Sequence, residues 1–200
     1  IFRVERLLHL DPEIALNTWI GAHQMVGFVL SNFYDNAHFV VTIGLLAWLW
    51  WRHPPIYRPL RNALALINVI GFAVFWLYPV APPRMLQSAG FVDVVALTHS
   101  WGAWHSGALA AQANELAAMP SLHMAWALWC GIVMWLIAKR SALRVLAVVY
   151  PMVTVVAVLG TANHFFFDLL GGVLTLAAAG GLAMVWERRR PGRRRPEAVR

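Results

Sequence analysis

The sequence predicts an all-α integral membrane protein: a bundle of six transmembrane helices with an outer interfacial loop or helix. Two observations lead there. Of 200 residues, 60% are hydrophobic and only 12% charged, with a mean hydropathy of +0.60, far from the balance of a soluble domain. The cations gather at the ends of apolar runs, which is the distribution that orients spanning helices. The same clustering argues against nucleic acid as the partner, although the net charge is +7. The lone cysteine, Cys130, lies in an apolar run and signals no disulfide framework.

Residues 1–10 mix Arg3, Glu5, Arg6 and His9 with Ile, Phe, Val and Leu, and read as an amphipathic interfacial segment on the membrane surface. The chain opens on Ile1 rather than Met, so a preceding segment is expected and a signal peptide is not judged. Asp11-Pro12-Glu13 signals a helix start. Residues 14–32 are the first expected span, interrupted by Asn17, His23 and Gln24. Residues 34–38 form a polar connection. The second span, 39–51, stops at Arg52-His53-Pro54-Pro55, and Arg58 and Arg61 complete a basic loop. The third covers 62–78. Pro79 to Met85, rich in proline, ends it. Residues 86–118 hold His99, Trp101, Trp104 and His105, an interfacial mix, with a short helix expected over 108–117. The fourth span runs from Pro120 to Ala138, the fifth over 145–161, and the sixth from beyond His164 to about Trp186. Residues 11–186 thus form the transmembrane domain. Residues 187–200, with seven arginines, read as a basic cytoplasmic tail.

Six alternating spans put Arg52, Arg58 and Arg61, then Lys139, Arg140 and Arg144, then the arginine tail, on one side. That side is cytoplasmic by the positive-inside rule. Tyr34, His38, Arg84, Ser121, His123, His164 and Asp168 then converge at the extracytoplasmic face. Ionisable groups at membrane depth are costly and point to function.

The stretch Ala118-Met-Pro-Ser-Leu-His-Met-Ala-Trp126 turns from a polar loop into an apolar helix. Pro120 is placed as its first helical residue, with Ser121 and His123 in the first turn. A helix N-terminus presents free N–H groups and positive potential, a natural seat for phosphate. The plainer reading is a helix cap and an interfacial histidine. His164 and Asp168 stand at i and i+4, one turn apart on one helix face. A carboxylate there can hold one ring nitrogen and leave the other as nucleophile or base; the plainer reading is a structural pair. Gly171 and Gly172 follow and permit close helix packing. Arg84, in its proline-braced loop, offers a guanidinium suited to phosphate or to lipid headgroups.

Pro82-Pro-Arg84, Pro120-Ser-Leu-His123 and His164-x-x-x-Asp168 resemble, in order, the three motifs of the type 2 phosphatidic acid phosphatase (PAP2) superfamily. The Ala-Pro-Pro-Arg and Pro-Ser-Leu-His forms most resemble the branch that includes inositol phosphorylceramide synthase. The resemblance covers about residues 34–180. It implies that His164 attacks phosphorus to form a phosphohistidine, that Asp168 orients it, and that His123 protonates the leaving oxygen and then activates the acceptor. Arg84 and Ser121 would bind phosphate oxygens, with no metal and no cofactor. The substrate would be a lipid phosphate or phospholipid, with a polyol as a possible acceptor. The chain departs from the pattern at Leu77, where the family usually has Lys, and over 155–163, where an expected Arg is missing. This leans toward the synthase-like branch, in which the acceptor is an alcohol rather than water.

Two other readings use the same residues. His123, His164 and Asp168 would suit zinc in a membrane hydrolase of the ceramidase kind, which leaves Arg84 and Ser121 without a role. A non-enzymatic lipid transporter would line a pathway with the cluster, but transporters usually show duplicated halves, and none is visible.

Overall fold

The computed structural model describes residues 1–98 and 116–189. The described chain is helical: α1 (Phe2–Leu7), α2 (Pro12–Ala22), α3 (Gln24–Arg52), α4 (Pro54–Leu77), α5 (Val94–Thr98), α6 (Leu122–Ile137), α7 (Ser141–Gly160) and α8 (Phe166–Arg189). Two short 3₁₀ turns, Pro83–Met85 and Gln87–Ala89, precede α5. Among the described residues the extended pairing is an isolated parallel bridge, Val80 with Ala117.

Three helices, α4, α7 and α8, are long and apolar enough to cross a membrane. The 16-residue α6 is apolar but shorter. The 29-residue α3 is long enough, but its first half carries Asn32, Asp35, Asn36 and His38.

The six-span count does not describe these helices. The expected first span, 14–32, divides at His23, which leaves the helical region at φ −116° and ψ 81°. Its Nδ1 donates to the Trp19 carbonyl at 2.7 Å and its ring stacks on Trp19. The resulting α2 has 11 residues and is about 17 Å long, too short for a hydrocarbon core of about 30 Å. Conversely, the expected connection 34–38 lies inside α3. Its polar side chains bond back along the helix: Asn36 Nδ2 to Asn32 O at 3.0 Å and His38 Nδ1 to Tyr34 O at 2.9 Å. Polar residues satisfied on their own turn do not break a helix. The proline pair also begins a helix instead of a loop, because Pro54 and Pro55 occupy its first positions.

The expected interfacial helix over 108–117 lies mostly outside the described residues, as do His99, Trp101, Trp104, His105 and the tail beyond Arg189. Residues 116–118 are extended: Val80 N–H donates to Leu116 O at 2.7 Å, and Ala118 N–H to Val80 O at 3.1 Å. This pairing ties the proline loop to the approach of α6.

α6 is central, packing on α3, α4, α7 and α8, while α4 packs on α8. The main core includes Leu49, Leu64, Ile67, Trp129, Val133 and Tyr150. Asn17, buried on α2, donates to Gly160 O and Val92 O, both at 2.9 Å, and accepts from Val92 N–H at 2.8 Å. A residue that interrupts the apolar pattern of the sequence is thus the clamp between α2, the end of α7 and the loop before α5.

α8 and the start of α6 approach closely through backbone. A Cβ at Gly172 would lie 2.5 Å from Ser121 O, and one at Gly171 3.2 Å from Pro120 Cβ. Backbone cannot yield as a side chain can. Gly172→Ala is therefore expected to destabilise the bundle by about 1–3 kcal/mol. Gly180→Ala, on the same helix with nothing within 4 Å, should cost nothing and gain up to about 1 kcal/mol in helix propensity. Thermal unfolding of both variants in detergent micelles checks the contrast.

Candidate active site

The end of α7 and the start of α8 build one half of the site. After Gly160 the chain turns through Ala162 in the left-handed region, φ 57°. The N–H groups of Asn163 and His164 both donate to Val158 O, at 3.1 and 3.2 Å. The turn closes the last carbonyls of α7 and aims His164 inward, where it is 4% exposed. Its Nδ1 lies 2.8 Å from Ala118 O. A carbonyl only accepts, so Nδ1 carries the hydrogen and Nε2 the lone pair. That Nε2 is buried with no hydrogen-bond partner.

The orienting contact therefore differs from the one expected. Asp168 Oδ2 is 3.6 Å from His164 Nδ1, too long for a hydrogen bond. It instead accepts the Phe165 N–H at 2.8 Å, fixing the turn between the two residues. Asp168 is fully buried, and its carboxylate sits beside the imidazole.

The start of α6 supplies the other half. Pro120 is not the first helical residue as expected: Ser121 is the N-cap and the helix begins at Leu122. Ser121 Oγ accepts the Met124 N–H at 3.3 Å, and Ser121 N–H donates to Asp168 O at 2.9 Å. The hydroxyl is thus partly committed to the cap. In the first turn, the amides of Leu122 and His123 are the helix-terminal donors. His123 stands 5.6 Å from His164, ring centroid to centroid. Tyr34 stacks on His123 at 4.3 Å, and His38 meets it edge-on at 4.4 Å. Both come from α3, from residues that spacing alone had placed at this end of the bundle.

Arg84 enters from the first 3₁₀ turn. Its backbone N–H donates to Ala162 O at 2.9 Å. Its NH1 donates to Asn163 Oδ1 at 2.6 Å, and its Nε lies 3.8 Å from Asp93 Oδ2. Asn163 also donates to Thr161 Oγ1 at 2.8 Å, which fixes which face it turns to the guanidinium. Sequence reasoning missed Asn163 and Asp93 as partners of Arg84. Adjacency to His164 was a usable signal for Asn163; nothing in the sequence marks Asp93. Leu77, at the family's lysine position, is 71% exposed and packs away from the cluster. Among the described residues no group of three or more His, Cys, Asp or Glu could hold a metal ion, so the zinc reading lacks a ligand set there.

Arg84, Ser121, His123, His164 and Asp168 are thus brought to one end of an all-helical bundle whose apolar helices suit membrane association. The class this defines is a helical, membrane-associated protein that brings two histidines together with an arginine and a carboxylate at one end. A family model described as the PAP2 superfamily matches residues 1–182, and the chain belongs to that superfamily, whose members are phosphatases acting on phosphate esters. Searches of curated proteins and of solved structures find no match.

Ser121→Ala removes the cap and is expected to lower stability by about 1 kcal/mol. Chemical unfolding in detergent, compared with Ser121→Asn, which can still cap, checks this.

Proposed function

We propose that the protein is a lipid phosphatase or phosphotransferase that works through a phosphohistidine on His164. The observation that carries this reading is the state of that ring: Nδ1–H is committed to Ala118 O, and the buried Nε2 is left with an unshared pair 5.6 Å, ring to ring, from a second imidazole.

In this reaction Nε2 attacks phosphorus and the ester P–O bond breaks. His123 gives its proton to the leaving oxygen. It then takes a proton from water or an alcohol, which attacks the phosphohistidine and frees Nε2. Phosphorylation places positive charge on the ring, and Asp168 lies 3.6 Å away to offset it. Arg84 and the first-turn amides of α6 receive the phosphate oxygens. A phosphate would compete with Asp93 for the guanidinium.

The synthase-like branch, with a polyol acceptor, remains part of this proposal. It is supported by the absence of Lys at 77 and of Arg over 155–163. Arg52, Arg58, Arg61, Lys139, Arg140, Arg144, Arg188 and Arg189 lie toward the end opposite the site, against Arg3, Arg6 and Arg84 toward the site end. By the positive-inside rule this supports a multi-pass protein of the cell membrane with an extracytoplasmic site.

The deciding assay gives purified protein a panel of lipid phosphates and phospholipids, with and without inositol, and scores free phosphate against new phosphodiester. Turnover of neither kind would sink the proposal. His164→Ala should lower kcat by about 10³-fold or more and abolish the acid-labile phosphoenzyme trapped by rapid quench. Asp168→Asn keeps an oxygen for the Phe165 N–H but loses the charge. With Ala118 still fixing the tautomer, kcat should fall less, by roughly 10²-fold, as steady-state kinetics would read.

A further inference from the structure

Two fully buried carboxyls lie outside the reaction scheme, and one of them bonds to α8. Glu5, on α1, and Glu13, on α2, both have no exposure. Glu5 Oε1 accepts the N–H of Phe167 at 2.6 Å. That amide is in the first turn of α8 and has no acceptor within its own helix; the next residue is Asp168.

Neither glutamate forms an ion pair among the described residues. Treated as carboxylates, Glu5 Oε2 and both oxygens of Glu13 have no donor. Two facing acids in a dry site do not both ionise, and a single proton between them supplies the missing donor. Burial raises both carboxyls, Glu13 to about 8. The Phe167 N–H opposes the rise at Glu5, and the facing Glu5 charge adds to that at Glu13. The Phe167 N–H and the helix dipole favour negative charge on Glu5, the carboxyl seated at the α8 N-terminus.

We propose that Glu5, seated on the α8 N-terminus through Phe167 N–H and backed by Glu13, is a positioning residue for the His164–Asp168 pair. It touches neither substrate nor the reacting nitrogen. It fixes the turn in which Asp168 Oδ2 holds Phe165 N–H. Its own helix is held there by aromatic packing, Phe2 on Phe91 at 5.6 Å and on Phe165 at 6.1 Å. The amphipathic segment expected to lie on the membrane surface thus turns a carboxylate inward and leaves Leu7 80% exposed.

The role rests on the phosphoryl-transfer reading, and the test separates the two. Full-length Glu5→Gln and Glu5→Ala are assayed beside wild type for kcat and KM. Amide exchange over residues 165–169 is followed by mass spectrometry. Gln keeps a neutral acceptor and Ala keeps none. The expected result is a graded fall of kcat in the order Glu, Gln, Ala, about 10-fold or more at Ala, with KM within about twofold and exchange at Phe167 accelerating in the same order. Should Glu5→Ala fail to fold, Glu5→Gln decides alone, with a loss of a few-fold in kcat and protection. Unchanged kcat, a fall without faster exchange, or KM rising in proportion would overturn the role. A wild type that turns over no lipid phosphate refutes the enzymatic reading instead, while exchange still reports the anchor.

Discussion

The structure depends on one seam, where the first turns of α6 and α8 touch through backbone. Ser121 N–H bonds to Asp168 O at 2.9 Å, and Gly172 lies flat on Ser121 O. Helices normally keep 8–10 Å between axes because side chains intervene; glycine removes that spacer. The two helix N-termini then sit side by side, and the residues near them, His123 and His164, come within ring contact. The Ala118 carbonyl, just upstream of the seam, reaches His164 Nδ1. One close approach thus sets the distance between the histidines and the tautomer of one of them.

Around the seam, each helix end is closed by a group from elsewhere in the chain. Asn17 bonds to Gly160 O, Ala162 O takes the Arg84 N–H, and Glu5 takes the Phe167 N–H. Away from water, an unmet N–H or C=O costs on the order of 1–3 kcal/mol. Closing them with residues of α1, α2 and the proline loop binds these short pieces to the long apolar helices. The opposite end is built differently. There Arg52 lies over Trp48 and Trp51, and Arg144 over Trp135, at 5.3 to 5.8 Å. Those cation–aromatic pairs suit an interface between apolar and aqueous phases. The polarity of the molecule, ordered hydrogen bonds at one end and snorkelling cations at the other, is what concentrates reactive groups in one place.

What the sequence made legible follows from periodicity and charge. α7 and α8 are uniformly apolar, with cations at their basic ends, so they were located to within a few residues. The convergence of Arg84, Ser121, His123, His164 and Asp168 followed from alternation alone. The misreadings share a cause. Asn36 and His38 looked like loop residues because sequence shows polarity but not its partner, and the partner is the helix's own carbonyl four residues back. Pro54-Pro55 looked like a terminator and is an initiator; proline suits a helix's first turn and only its interior suffers. Asn163, Ala118 O and Glu5 act through contacts across 46 to 162 residues, for which no local pattern exists, and Asp93 meets Arg84 across a loop that has no periodicity to pair them.

The division of labour around His164 has a consequence for how such a site works. A neutral carbonyl, Ala118 O, sets the tautomer before substrate arrives. The charged group, Asp168, is held a little apart by its own bond to Phe165 N–H. At 3.6 Å from the ring, the buried carboxylate acts through its field on any positive charge the ring acquires. On the proposed phosphohistidine reading, neutral orientation at rest and charge stabilisation during reaction fall to different groups. In the proposed reaction this separates a group that must always be in place from one whose contribution grows only as the phosphorus–nitrogen bond forms, the condition for lowering a barrier rather than merely stabilising the ground state.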